Sequence, residues 1–282
     1  ADLRARLRAS RFAVSLDLQG LLKSGVVSRL AGCPRNVQMA ADHLRRLQWL
    51  FPGERCAEGG LHAVDRMLPL AAACGADMSH PTFDFHIPLP ARQHAAELLA
   101  DLSSSGSPIV ALNPTASAPH RVWPPERYAE LLRRIHHELG ACGIVLGGPA
   151  DVETSRAIVA QSGVAALSTA GKTGYLQLAA VLDACDLLVS SDTGPQHLAA
   201  ALGKPVVALF GPSVPERTGP YGDGFGSRTE EAAPGVPPLT LDVLDELSRA
   251  TAHRPPAALP TTTPSASASM ATERHWNCQR YS

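Results

Sequence analysis

Four stretches of this 282-residue chain carry residue types able to hold a phosphorylated sugar. In SSDTGPQHL, Asp192 offers a carboxylate, Thr193 a hydroxyl, Gly194 a close backbone approach and His197 a donor one turn into the run that follows. The stretch lies where an apolar run gives way to an Ala/Leu-rich one, the junction of a strand with a helix. Free N–H groups and the helix dipole favour an anion at such a junction. In LNPTASAPHRVWPPERY, the hydroxyls of Thr115 and Ser117 and the cation of Arg121 precede a helix opened by Pro124-Pro125. Hydroxyls, loop N–H groups and an Arg fork can grip a diphosphate without a metal. The alternative is a helix-start loop with a surface Arg and a packed Trp123. In GGPADVE, Asp151 or Glu153 can accept from ribose hydroxyls or simply serve the amino end of a helix. In AGKTGYL, Lys172 and Thr173 either touch a diphosphate singly or cap the helix after them.

Other chemistries lack their residues. A phosphate-cradling P-loop needs a glycine where Ala166 stands, inside an expected strand. GDGFG at 222–226 follows a turn-like Pro-Tyr and opens no helix, so a dinucleotide fingerprint is missing. The six cysteines are widely spaced with no C-x-x-C pair, which disfavours zinc and a disulfide framework and fits reduced thiols in the cytoplasm. His86 and His94 have no ligand spacing. Lys and Arg number 25 against 26 Asp and Glu, so no global basic field exists for nucleic acid. The local run LLRRIHH at 131–137 reads as the solvated face of a helix or as a contribution to binding an anionic lipid surface. No apolar run approaches the ~20 residues of a membrane span.

These stretches need elements to position them. From residue 108 the chain alternates strand PIVALNP, helix PPERYAELLRRIHHEL, strand CGIVLGG, helix DVETSRAIVAQ, strand VAAL, helix YLQLAAVLDA, strand DLLVS, helix QHLAAALG and strand PVVALFG. Such alternation predicts an α/β doubly wound parallel sheet. A last helix is expected at 239–250, and the Pro/Thr/Ser/Ala-rich 251–282 is expected to be disordered. Upstream, a strand at 12–18 leads to a helix at 21–30, stopped by Gly32 and Pro34. Residues 35–60 read as a long surface segment. A helix over 62–76 should kink or restart at Pro69, residues 81–90 read as extended, and 91–102 as a helix. SSSGSP at 103–108 is the expected linker between a partial amino-terminal unit (1–102) and a carboxyl-terminal unit (109–250).

Together, LNPTAS, HRVWPPERYAELL, VLGGPADVE, STAGKT, YLQLAAVL, ACDLLVSSDTGPQHLAAALGKPVVALFGPS and, upstream, LDLQGLLKSG and HAVDRMLPLAAACG resemble glycosyltransferase family nine over roughly residues 10–250. Within it the upstream pair is most similar to the heptosyltransferase I branch. The resemblance implies a GT-B fold, two Rossmann-like domains facing across a cleft, with the nucleotide sugar on the carboxyl domain and the acceptor on the amino domain. It implies ADP-heptose as donor without metal or other cofactor, and the Kdo of a lipid-linked inner core as acceptor, at the cytoplasmic side of the inner membrane. Carried over, Thr115, Ser117 and Arg121 hold the diphosphate, with Lys172 a further contact. Asp151 or Glu153 meets the ribose, Asp192 the heptose hydroxyls, and Thr193, Gly194 and His197 the phosphates.

Three departures accompany the resemblance. Ser117 takes the second hydroxyl position and Arg121 stands where Lys is usual, both with fitting chemistry. The family also opens with a strand and loop of the type RLSSLGD whose Asp is the general base; no such stretch precedes the strand at residue 12, so the first βαβ and the base are expected to be missing. The family gives Asp17, near the end of its strand, no such role. Two rival readings remain: a nucleotide-sugar-binding remnant without catalysis, and a GT-B sugar-nucleotide epimerase, distinguished by release of an isomerised ADP-sugar without acceptor.

Overall fold

The computed structural model describes residues 2–40, 50–79, 81–116, 122–210 and 214–222. Ser117, Arg121, the helix expected at 239–250 and the tail from 251 lie outside them.

The first unit begins with α1 (Leu3–Ala9), β1 (Val14–Asp17) and α2 (Leu22–Ala31), which ends at Gly32 with φ 67° in the left-handed region. Then come β2 (Arg35–Met39), β3 (Glu54–Cys56) and α3 (Ala63–Ala73). The strands form a parallel sheet in the order β1-β2-β3. The expected long surface segment at 35–60 is therefore corrected, because it contains two strands. In β2, Val37 and Met39 turn to Leu70 of α3 and form a small core, while Arg35, Asn36 and Gln38 supply the polar majority that hid the period-two signal. Helix α3 runs through Pro69 without a break between elements. The ring deprives the Asp65 carbonyl of its usual helical donor, and Gly59 approaches that carbonyl so closely that a Cβ there would collide with it.

The second unit follows the expected alternation. Helices α4 (Leu89–Leu98) and α5 (Ala100–Ser103) precede β4 (Ile109–Asn113), α6 (Pro125–Leu139), β5 (Cys142–Val145), a 3-10 turn (Pro149–Asp151), α7 (Val152–Ser162) and β6 (Ala166–Ser168). The chain continues through α8 (Tyr175–Ala184), β7 (Leu187–Ser191), α9 (Gly194–Ala201), β8 (Val206–Leu209) and the short α10 (Pro215–Thr218). All five strands are parallel, in the order β6-β5-β4-β7-β8. Apolar side chains fill both faces, as expected for a sheet covered twice. Ala111, Ile144, Leu188 and Ala208 pack under α8 and α9; Val110, Leu112, Val145, Val189 and Leu209 pack under α6 and α7. Helix α4 lies ahead of the 103–108 stretch expected to link the units, yet Ala91, Ala95 and Leu99 pack in the second unit's core. Arg92 of α4 also pairs with Asp183 of α8 at 2.6 Å.

Candidate functional site

The chain leaves β4 toward β5 and β6 on one side and returns through β7 and β8 on the other, so the strand order reverses between β4 and β7. Ligands of open α/β sheets bind in the crevice outside the carboxyl ends of strands at such a reversal. Asn113 and Ser190 are register partners at this point, and a buried polar network floors the crevice. Asn113 Nδ2 donates to Ser190 Oγ at 3.0 Å and to the Thr115 carbonyl at 3.2 Å; Thr115 Oγ1 donates to Asn113 Oδ1 at 3.3 Å. From α6, the Tyr128 hydroxyl donates to the Asn113 carbonyl at 3.1 Å and shares a hydrogen with Ser191 Oγ at 2.9 Å. Burial drives the Tyr128 pKa up, so its proton stays in place. Trp123 packs edge-on against this ring with centroids 4.9 Å apart, as the packing alternative for its loop expected.

Asp192 follows β7 directly. Its N–H is tied to the Leu209 carbonyl at 3.1 Å and its Oδ1 accepts from Gln196 Nε2 at 3.0 Å. The carboxylate is thus fixed at the mouth of α9, where Thr193 is the extended residue before the first helical turn and makes no side-chain cap. Among the described residues, and apart from its own chain neighbours and helix backbone, nothing lies within 4 Å of where a Cβ of Gly194 would be. Protein packing does not require glycine there, and the open space suits a ligand approaching the helix N–H groups.

The first unit touches the segment that follows α10. His62, at the amino end of α3, accepts from the Val64 N–H through Nδ1 at 3.2 Å, which leaves Nε2 to donate to the Gly219 carbonyl at 2.9 Å. Tyr221 donates to Asp65 Oδ1 at 2.5 Å and its ring lies 4.9 Å from that of His62. His197 belongs to the same cluster. Desolvation lowers its pKa, the Asp192 carboxylate opposes that shift, and the nearby imidazole of His62 reinforces it.

The other expected contacts lie along the same carboxyl edge on different terms. Asp151 Oδ2 accepts from the Gly148 N–H at 2.8 Å and closes its own turn, while Glu153 is exposed beside Arg156 at 3.2 Å. The capping alternative for Lys172 and Thr173 is corrected: the N-cap of α8 is Gly174, whose N–H is taken by Gln177 Oε1 at 2.7 Å. Lys172 is exposed in a loop held by its own carbonyl on His94 at 2.9 Å. Among the described residues, no three His, Cys, Asp or Glu converge as metal ligands, five cysteines are free thiols, and no helix is long and apolar enough to cross a membrane. Sequence reasoning passed over Asn113, Tyr128, Ser190, Ser191, Gln196 and His62. The first five sit in or beside apolar runs, and the sixth acts through a contact 157 residues away.

The family model described as Glycosyltransferase family 9 (heptosyltransferase) matches residues 1–232. Lipopolysaccharide core heptosyltransferase OpsX of Haemophilus influenzae is 27% identical over 219 residues, 77% of this chain and 62% of the relative. Lipopolysaccharide heptosyltransferase 2 of Escherichia coli is 36% identical over 127 residues, 42% of this chain and 35% of the relative. This chain therefore spans less than two thirds of the length of these relatives. Among solved structures, E. coli ADP-heptose lps heptosyltransferase II superimposes with a TM-score of 0.70 at 22% identity, covering 88% of this chain and 80% of that one. E. coli heptosyltransferase WaaC with ADP gives 0.68 at 24% identity, covering 88% and 75%. These likenesses establish the GT-B fold, and with the family match over most of its length the chain belongs to glycosyltransferase family 9, the heptosyltransferases.

Proposed function

We propose that this chain takes part in transfer of heptose from ADP-heptose to the Kdo of a lipopolysaccharide inner core, with inversion at the anomeric carbon. The observation that carries the reading is the position of Asp192 beside the amino end of α9 at the strand-order reversal. An anionic leaving group placed there meets oriented N–H groups, and a sugar beside it meets a fixed carboxylate. The acceptor oxygen attacks the anomeric carbon in line, the bond to the diphosphate oxygen breaks, ADP leaves, and a carboxylate takes the acceptor proton. No residue of this chain is assigned as that base. Thr115, Ser117 and Arg121 serve the diphosphate in this reading, Asp151 or Glu153 the ribose, and no metal takes part.

Calorimetry of the full chain with ADP and ADP-heptose, each with and without EDTA, tests the donor site. Both ligands should bind equally well under chelation. Asp192→Ala should weaken ADP-heptose about ten- to a hundredfold, the worth of a charged hydrogen bond, and leave ADP nearly unchanged. Equal weakening of both ligands would reduce Asp192 to a helix-start residue, and loss of binding in EDTA would overturn the metal-free diphosphate site. Release of ADP that depends on a Kdo-bearing acceptor would establish transfer. An isomerised ADP-sugar formed without acceptor would replace transfer by epimerisation.

A further inference from the structure

Gln196, in the first turn of α9, is a polar side chain with no exposure to solvent. Its amide nitrogen carries two hydrogens and meets two neighbours, Asp192 and His197. Nε2 donates to Asp192 Oδ1 at 3.0 Å and stands 3.4 Å from His197 Nε2. The other end of the amide is left over. Among the described residues Oε1 is buried and has no hydrogen-bond partner. A buried acceptor left unmade is costly, so the amide is held in this orientation against its own interest. The Asp192 carboxylate is what holds it. An ionised carboxylate only accepts, and turning the amide over would set Oε1 against Oδ1. The orientation that strands Oε1 is therefore the one that keeps an amide hydrogen on Asp192.

The same orientation places a proton on the next residue. Gln196 Nε2 can only donate, so His197 Nε2 can only accept from it, and the neutral ring carries its hydrogen on Nδ1. An unconstrained neutral imidazole populates both forms. Desolvation and the imidazole of His62 favour the neutral ring, against the pull of Asp192. His197 keeps an exposed side, where a ligand can reach it. One buried amide thus touches both the carboxylate and the imidazole of the donor loop, while taking no part in the loop's surface itself.

We propose that Gln196 is a positioning residue of the donor site: it holds the Asp192 carboxylate and selects the Nδ1–H form of His197, so that a nucleotide sugar meets a fixed acceptor beside a fixed donor. This role rests on the donor site proposed above for Asp192. Gln196→Met keeps the length of the side chain and removes both amide hydrogens. In calorimetry of the full chain at about pH 8 it should bind ADP-heptose about tenfold or more weakly and ADP within about twofold of the native chain. The tautomer is read on the free chain by NMR of the His197 ring nitrogens, identified by their loss in His197→Gln. Nδ1 should carry the hydrogen in the native chain, and the two forms should mix in Gln196→Met. A residue that only packs would weaken both ligands together and leave the tautomer as it was. Gln196→Glu decides the matter if the Met variant fails to fold. At about pH 8 its carboxylate opposes Asp192 and ADP-heptose should again bind about tenfold or more weakly; at about pH 6 a proton shared by the two carboxyl groups restores the bridge, and most of the loss relative to the native chain at that pH should be recovered. A neutral native ring with its hydrogen on Nε2, equal weakening of ADP and ADP-heptose, or no recovery at the lower pH would overturn the role of Gln196 and leave the donor site standing. Failure of the native chain to bind ADP-heptose would instead overturn the donor site, and the role with it.

Discussion

His197, one turn into α9, is a titratable group of this loop whose environment differs from water. Its pKa is lowered in the folded chain chiefly by desolvation, against the attraction of Asp192 and with the help of His62, whereas an unfolded histidine titrates near 6.5. The unfolded chain therefore takes up the proton first as pH falls. Stability carried by the neutral imidazole is fully present above about pH 6.5 and is lost as pH drops through the folded value. His197→Gln should flatten this acid limb; denaturant midpoints of both proteins between about pH 5 and 8 measure it. Parallel pH profiles would mean that the imidazole is solvated whichever state it is in. Asp192, Thr193, Gly194 and His197 were legible because a carboxylate, a hydroxyl, a glycine and an imidazole stand in order at a strand-to-helix junction. Their supports were not. Gln196 is fully buried and carries Asp192, but a glutamine among alanines gives no sign of which way its amide points.

Elements with strong end signals could be read almost to the residue. Helix α6 begins at Pro125 with Pro124 as its N-cap and is closed by Gly140 with φ 61°, and α8 occupies the expected 175–184. The helix expected at 91–102 is instead α4 and α5, parted at Leu99. Strands β2 and β3 went unread because only two and one of their residues, respectively, are apolar in type, and because Asn36 and Gln38 of β2 share one polar face of the sheet with Ser15 and Asp17 of β1. Packing between elements can be tested at Gly143 of β5. A Cβ there would run into Leu132 Cδ2 of α6, and Leu132 is 1% exposed with nowhere to retreat. Gly143→Ala should cost about 1–3 kcal/mol through overpacking and Leu132→Ala about 2–5 kcal/mol through the cavity it leaves. The double variant should cost less than their sum by about 1 kcal/mol or more, because the new methyl occupies vacated space. Denaturant unfolding of the four proteins measures the coupling, and simple additivity would show that α6 shifts freely on the sheet.

Across the whole molecule the two units are finished differently. The second sheet is sealed on both faces, while among the described residues the first has polar side chains on one face and α3 as the helix over the other. Helix α3 sits over β2 and β3, which leaves two register partners with opposite fates. Val37 of β2, covered by Leu70, is 1% exposed, whereas Leu16 beside it on β1 is 42% exposed. Phe12, Val14, Leu18, Leu22, Val26 and Val27 are also exposed around β1 and α2, an apolar concentration larger than the scattered single residues of ordinary surfaces. The chain should accordingly bind a hydrophobic dye such as anilinonaphthalene sulfonate while fully folded. Leu16→Lys should reduce dye fluorescence and change stability by no more than about 0.5 kcal/mol, the range of open surface positions. Val37→Ala, one strand away on the same face, should cost about 2 kcal/mol because it removes packed methyl groups from under α3. Thermal melts and dye titration of the two variants separate the positions. Should Leu16→Lys destabilise as much as Val37→Ala, the β1 face is covered in solution and the contrast between the two register partners disappears.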